Sequence, residues 1–181
     1  MIRKATPSDI PAIAATYNNL FVYEEQNGSN SNWKSGIYPT IKVPESKVPT
    51  GTMYVLEEKG EICASMVLNH NQAEEYADIA WKYSGKGAEV LVIHTLCIPP
   101  QKAGHGYGGQ MVQYAKNYAA ESGCSTIRID TYAYNEPAKK LYLKNGFRIA
   151  GYGNILLQGL IEEEQVYLEY EVQSNKQFWT D

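Results

Sequence analysis

Cysteine, histidine and phenylalanine are scarce in this chain, at 3 each among 181 residues. Cys63, Cys97 and Cys124 are an odd number, and each lies in or beside an apolar segment. That argues against a disulfide framework and for buried, reduced thiols in a cytoplasmic protein. Long uncharged apolar runs are missing too, and no segment reaches the roughly 20 residues that a membrane helix needs. The N-terminus does not have the pattern of a secretory leader, so no membrane association is expected. A basic excess is absent: 16 Lys and Arg stand against 20 Asp and Glu, for a net charge of −4. This argues against a nucleic-acid partner, whose phosphates would call for cations, and is compatible with cationic amines. There are no internal repeats and no low-complexity segments.

Tyrosine stands where phenylalanine does not, at 15 residues. Some of these must sit in a core with a polar tip, and others can line a pocket. The hydrophobic share of 44% and the length suit a single domain with a proper core. We place that domain at residues 1–172, with a C-terminal tail at 173–181.

Along the chain, Ile2 to Ala5 reads as a strand, and Thr6-Pro7-Ser8-Asp9 as a helix start. Ile10, Ile13, Ala14, Tyr17 and Leu20 then follow helical spacing. Residues 40–51 have the length of a short helix, against which Pro44 and Pro49 count. Met53 to Leu56 and Ile62 to Leu68 read as a hairpin turning at Glu58-Lys59-Gly60-Glu61. Asn69 to Gly87 reads as an irregular connection. Val90 to Ile98 is a strand, Gly106 to Glu121 a helix stopped by Gly123, and Thr126 to Thr131 a buried strand. Asn135 is a suitable N-cap for a helix over Glu136 to Lys144. Phe147 to Gly153 and Gln165 to Val172 close the chain as a strand pair. One strand–helix–strand unit among hairpins implies an α+β domain with a mixed sheet.

The densest signal lies between Val90 and Phe147. Gly104, Gly106, Gly108 and Gly109 follow the apolar strand, and a helical pattern opens on them. A helix start has unpaired N–H groups and a positive dipole end, and glycines let a ligand come close, so phosphate is the natural guest. Gly104 to Gly109 matches G-x-G-x-x-G, with Asp130 closing the next apolar run where a ribose-binding acid would sit. A dinucleotide site, however, needs its first glycine at the strand end and repeated strand–helix–strand halves. Here residues 99–103 intervene and one such unit is present.

A second reading uses more residues. Gln101-Lys102-Ala103-Gly104-His105-Gly106 fits Q/R-x-x-G-x-G/A, and Asn135 to Tyr142 fits N-x-x-A-x-x-x-Y, followed by Asn145-Gly146-Phe147. In this order and separation they resemble the Gcn5-related N-acetyltransferase (GNAT) superfamily over roughly residues 90–150. The resemblance implies a mixed, mostly antiparallel sheet of about seven strands flanked by helices and splayed between strands 4 and 5. It implies acetyl-CoA as cosubstrate, no metal, a small-molecule or peptide amine as acceptor, and leaves a homodimer open.

The same resemblance assigns candidate roles. Backbone N–H groups across Gln101, Lys102, Ala103, Gly104, His105, Gly106, Tyr107 and Gly108 would cradle the pyrophosphate. Leu96, Cys97 and Ile98 would pair with the pantetheine arm as an open edge, and N–H groups there would polarise the thioester carbonyl. Ala138 leaves room for the coenzyme, and Asn135 can bond its arm. Tyr142 is the expected acid, or hydrogen-bond donor, to the leaving thiolate. An alkyl amine of pKa ~10 is about one part in a thousand neutral at pH 7, a cost of about 4 kcal/mol. His94, in His94-Thr95-Leu96-Cys97-Ile98, resembles the base of the arylalkylamine N-acetyltransferase branch, acting directly or through water. His70 is a lesser candidate, and His105 fills a variable slot. A nucleophilic Cys97 is a rival without support from its surroundings. For the acceptor, Tyr23, Glu24, Glu25, Trp33, Tyr38, Glu74, Glu75, Tyr76 and Trp81 offer aromatic faces and carboxylates. A non-catalytic acyl-CoA sensor is the alternative function.

Overall fold

A computed structural model of the chain describes residues 1–173. The tail expected at 173–181 lies, apart from Gln173, outside the described residues. The elements are β1 (Ile2–Lys4), α1 (Ile10–Asn27), α2 (Lys42–Lys47), β2 (Met53–Glu58), β3 (Glu61–Asn69), β4 (Val90–Cys97), α3 (Tyr107–Glu121), β5 (Thr126–Tyr132), α4 (Glu136–Lys144), β6 (Arg148–Leu157) and β7 (Ile161–Glu171). The seven strands form one sheet in the order β1-β2-β3-β4-β5-β7-β6. Every neighbouring pair is antiparallel except β4 and β5. This is the mixed, mostly antiparallel α+β architecture expected from the sequence.

The parallel pair is short. Val90, Leu91 and Val92 face Thr126, Ile127 and Arg128. Beyond Val92, β4 runs on to Cys97 and β5 to Tyr132 without pairing to each other. The sheet therefore opens into a notch between them.

Each face of β4 is covered, which is why its sequence reads as an unbroken apolar run. Leu91 and Ile93 pack toward α3 and α4, with Met111, Val112, Ala115 and Ala119 from α3. Val90 and Val92 face the other way, onto Tyr76 and Tyr167. Farther along that second face, Ile13, Tyr17 and Phe21 of α1 cover Met53, Val55, Val67 and Cys97.

Three local outcomes refine the sequence reading. α2 does form despite Pro44, because proline sits in the first turn, where an N–H has no helical acceptor to lose. The last hairpin is longer than expected, since β6 continues through Gly153-Asn154 to Leu157. Its glycines and the exposed Leu156 mask the alternation. The 69–87 connection is tied down rather than loose. Glu169 is fully buried; its carboxylate accepts from the N–H groups of Lys82 (2.9 Å) and Tyr83 (3.0 Å) and pairs with Arg148.

Candidate active site

The loop after β4 ends in two residues with left-handed backbone, Gly104 (φ 80) and Gly106 (φ 77). Gly106 is the N-cap of α3, and the first bond inside the helix runs from Gln110 N–H to Gly106 O at 3.1 Å. The N–H groups of Tyr107, Gly108 and Gly109 precede that bond and are left to pair outside the helix. Gly108 answers a different need. A Cβ there would meet the Leu141 side chain at 3.1 Å, so its smallness lets α3 lie close to α4.

This helix start opens onto a cleft of about 590 Å³ that runs through the notch between β4 and β5. Lys102, Ala103, Gly104, Gly106, Tyr107 and Gly108 line it, as do Leu96, Cys97, Ile98, Asn135, Ala138 and Tyr142. Two of the expected residues do not. Gln101 is exposed, and the exposed His105 ring stacks on Tyr107 at 5.5 Å with its Nδ1 3.0 Å from Ala103 O. Lys102 is paired with Glu61 on the surface, which raises the pKa of its ammonium. The Asn135 amide is already engaged. Its Oδ1 accepts from Ala138 N–H at 3.2 Å, as the cap of α4, and its Nδ2 donates to Thr131 Oγ1 at 3.3 Å.

At the notch, β4 carries a bulge. Ser65 faces Cys97 and Val67 faces His94, so Met66 stands opposite both Thr95 and Leu96. Thr95 has φ 49, a conformation that costs a β-branched residue on the order of 1–3 kcal/mol. A hydrogen bond of 2.5 Å between the Thr95 and Tyr38 hydroxyls helps hold it. The bulge takes the N–H groups here out of the regular ladder and leaves them beside the cleft. Cys97 turns into the core beneath α1, 1% exposed, with its Sγ 4.0 Å from Thr16 O. Burial pushes its thiol up to about 12, so it is not a nucleophile at neutral pH.

Tyr142 reaches the cleft from α4, 2% exposed. Burial, and secondly the charge of Asp130, push its hydroxyl well above the ordinary tyrosine range. The neutral, proton-bearing form is therefore the resident one.

His94 lines the cleft from the opposite side. Asn69 Oδ1 accepts from Asn71 N–H at 2.8 Å and lies 3.0 Å from His94 Nε2. The first bond fixes which end of the amide is oxygen, so His94 Nε2 carries the proton and Nδ1 keeps its lone pair. Burial, and secondly Lys47, bring this imidazole down to about 4. His70 is not part of the cleft; it is exposed, with Nδ1 2.8 Å from Val90 O.

Around His94 the cleft is acidic and aromatic. Of the acceptor candidates, Tyr23, Glu24, Trp33 and Tyr38 line it, whereas Glu25, Glu74, Glu75, Tyr76 and Trp81 do not. Glu24 accepts four bonds of 2.7–3.0 Å from Ser29, Asn30 and Ser31, which knot the loop after α1. Asp130 and Glu163 join it in the lining. Asp130 accepts from the Tyr76 hydroxyl at 2.6 Å, and burial raises its pKa. Glu163, 8% exposed, accepts from Asn32 Nδ2 (2.8 Å) and Gln165 Nε2 (3.1 Å); burial chiefly raises it as well. The sequence reading missed Glu163, which hides in the run Glu162-Glu163-Glu164. Period-two alternation would have found it, for it shares a strand face with Gln165 and Tyr167. The sequence spacing offers Asp130 only as a ribose-binding acid.

A sheet opened at its parallel pair, a bulged strand and a glycine-rich helix start meet on one cleft, an arrangement of the GNAT fold class. The model of the Acetyltransferase (GNAT) family matches residues 19–147, and the chain belongs to that family. It is 24% identical over 146 residues to the uncharacterized N-acetyltransferase YhfO of Bacillus subtilis (strain 168), covering 81% of this chain and 88% of that one. Among solved structures, a GNAT-family acetyltransferase from Streptococcus agalactiae superposes with a TM-score of 0.78 at 18% identity, covering 97% of this chain and 96% of that one. The yncA protein of Salmonella typhimurium, solved with its cofactor acetyl-CoA, does so at 0.67 and 15% identity, covering 97% and 95%.

Proposed function

We propose that the protein is an N-acetyltransferase that moves an acetyl group from acetyl-CoA to a primary amine by direct attack of the nitrogen. The observation that carries this reading is the notch itself. It forms one continuous cleft with the α3 helix start and Tyr142 on one side and His94 with the carboxylates on the other. The bound cosubstrate of the yncA structure supports acetyl-CoA as the donor. The fit is physical as well, since the free N–H groups of Tyr107, Gly108 and Gly109 suit a pyrophosphate. Acetyl-CoA supplies the activated acyl group and a thiolate leaving group.

The chain's own residues then act in four ways. The α3 N-terminus and the loop before it bind phosphate. The bulged backbone at Thr95 and Leu96 presents N–H groups toward the acyl oxygen. Tyr142 holds its proton at the hydroxyl and donates a hydrogen bond to the departing sulfur. Full transfer from an ordinary phenol (~10) to a thiol (~8.5) is already uphill by about 2 kcal/mol, and burial of Tyr142 makes it more so, so a strong hydrogen bond accounts for its role better than full transfer. Asp130 and Glu163 attract the ammonium form of the acceptor. His94 Nδ1 receives the proton, directly or by a bridging water. At a pKa of about 4 it cannot strip a free alkylammonium. It can take the far more acidic proton of a nitrogen that is acquiring its new bond.

The test is thiol release from acetyl-CoA with a panel of amines. Acetyl-CoA binding without amine-dependent release would leave an acyl-CoA-binding module and sink the transferase reading.

A further inference from the structure

A second cavity, of about 560 Å³, adjoins the active-site cleft. Tyr38, His94 and Thr95 line both, so the two spaces meet at these three residues. α2 bounds the new cavity, with the end of β3 at Asn69 and Gln158 from the β6–β7 turn.

The two spaces carry opposite kinds of ionisable side chain. Glu24, Asp130 and Glu163 line the active-site cleft, where among the described residues the one Lys or Arg is Lys102, at the phosphate loop and paired with Glu61. Among the described residues, the second cavity is lined by Lys42 and Lys47 and by no Asp or Glu. Among the described residues, neither lysine is in a salt bridge. Lys47 is half-buried and near enough for its charge to act on His94. Asn69 adds a donor, since its oxygen is taken by His94 and Asn71 N–H and its NH2 is left over.

A plain alkylamine satisfies one of these fields and is repelled by the other. A molecule with an ammonium and an anion satisfies both. We infer that the acceptor is an amine that also carries an anionic group. Its nitrogen sits in the carboxylate-lined cleft, and its anion reaches past His94 to Lys47 in the second cavity. The inference rests on the acyl-transfer reading above and adds the substrate class to it.

The experiment compares matched acceptors: a series of ω-amino acids of increasing chain length against the alkylamines of the same lengths. Thiol release with acetyl-CoA is measured for the wild type, Lys47→Gln and Lys47→Arg. The quantity read is the ratio of kcat/KM for the amino acid to that for its alkylamine. Taken within one variant, the ratio cancels any change in His94 basicity or coenzyme binding. At the best chain length it should exceed about tenfold in the wild type, fall about tenfold in Lys47→Gln and persist in Lys47→Arg. Lys47 is not a core residue, and melting curves check that each variant is folded. Alkylamines turned over as well as amino acids, or a ratio unmoved in Lys47→Gln, would overturn the anion subsite while leaving acyl transfer intact. Acetyl-CoA binding with no amine-dependent thiol release at all would overturn the transferase reading, and the subsite with it.

Discussion

Replacing His94 by Gln separates its burial from every other acid-sensitive feature of the fold. Gln keeps an NH2 donor for Asn69 and cannot titrate. In the wild type the ring goes from an ordinary 6.5 down to about 4 on folding, through burial first and Lys47 second. The unfolded chain therefore takes up a proton at this position before the folded one does, and stability falls as pH falls across that window. Between about pH 7.5 and 4.5 the ring alone removes on the order of 2.5 kcal/mol. For a chain of this size that is roughly 5–10 °C in Tm. Asp130 and Glu163 act in the opposite sense, because burial raises their carboxyls and folding then favours the proton. The wild-type curve alone is thus a sum. The difference between wild type and His94→Gln, measured by calorimetry or denaturant titration at both pH values, isolates the imidazole. The wild type should lose about 2.5 kcal/mol more than the variant. Equal losses would mean that the ring is solvated in solution, and the tautomer argument would fall with its burial. The same geometry sets the pH dependence of turnover. kcat/KM should rise about tenfold per pH unit through neutrality as the free amine accumulates, with no inflection near 6.5 from His94.

Three more outcomes are expected. Tyr142→Phe should lower kcat about tenfold or more while leaving acetyl-CoA affinity nearly intact; unchanged turnover in steady-state assays would remove the hydroxyl from the chemistry. Gly106→Val forces a β-branched residue into a left-handed position (φ 77), so acetyl-CoA binding measured by calorimetry should be lost while the rest of the fold persists; retained affinity would place the phosphate cradle elsewhere. Cys97 should resist alkylation in the native protein at pH 8 and react once denatured, given its thiol at about 12; rapid native labelling, located by mass spectrometry, would contradict its burial.

The fold was legible wherever one residue type answers one physical need. Asn135 before Pro137, Gly123 after α3, and Lys59-Gly60 between two apolar runs each mark a boundary that the structure keeps within a residue or two. The glycine loop before α3 marked the proposed phosphate side of the cleft for the same reason, since a helix start against a ligand demands small residues in a fixed place. The acceptor side was much less legible. Glu163 and Asp130 become site residues because β5 borders the notch and β7 pairs alongside β5, a pairing about 35 residues apart that local spacing does not encode. Glu169 is the sharper case. It reads as a solvated acid and is instead fully buried, because a distant loop brings two N–H groups to it.

The notch also explains why the two halves of the site differ so much in kind. A continuous sheet would separate the α3–α4 face from the α1–α2 face completely. With β4 and β5 paired over three residues and β4 bulged soon afterwards, the backbone itself opens the passage. The proposed coenzyme half can then be built from main-chain donors, which need only glycines and a helix start and so leave a strong motif. The proposed acceptor half is lined by side chains of α1, β4, β5 and β7 and of the loop after α1. Those side chains can change one at a time without disturbing the passage. Substrate choice should therefore follow positions such as Glu163 and Lys47, while coenzyme binding stays with the glycines. Exchanging Glu163 for Gln should accordingly alter which amines are accepted and leave acetyl-CoA affinity where it was.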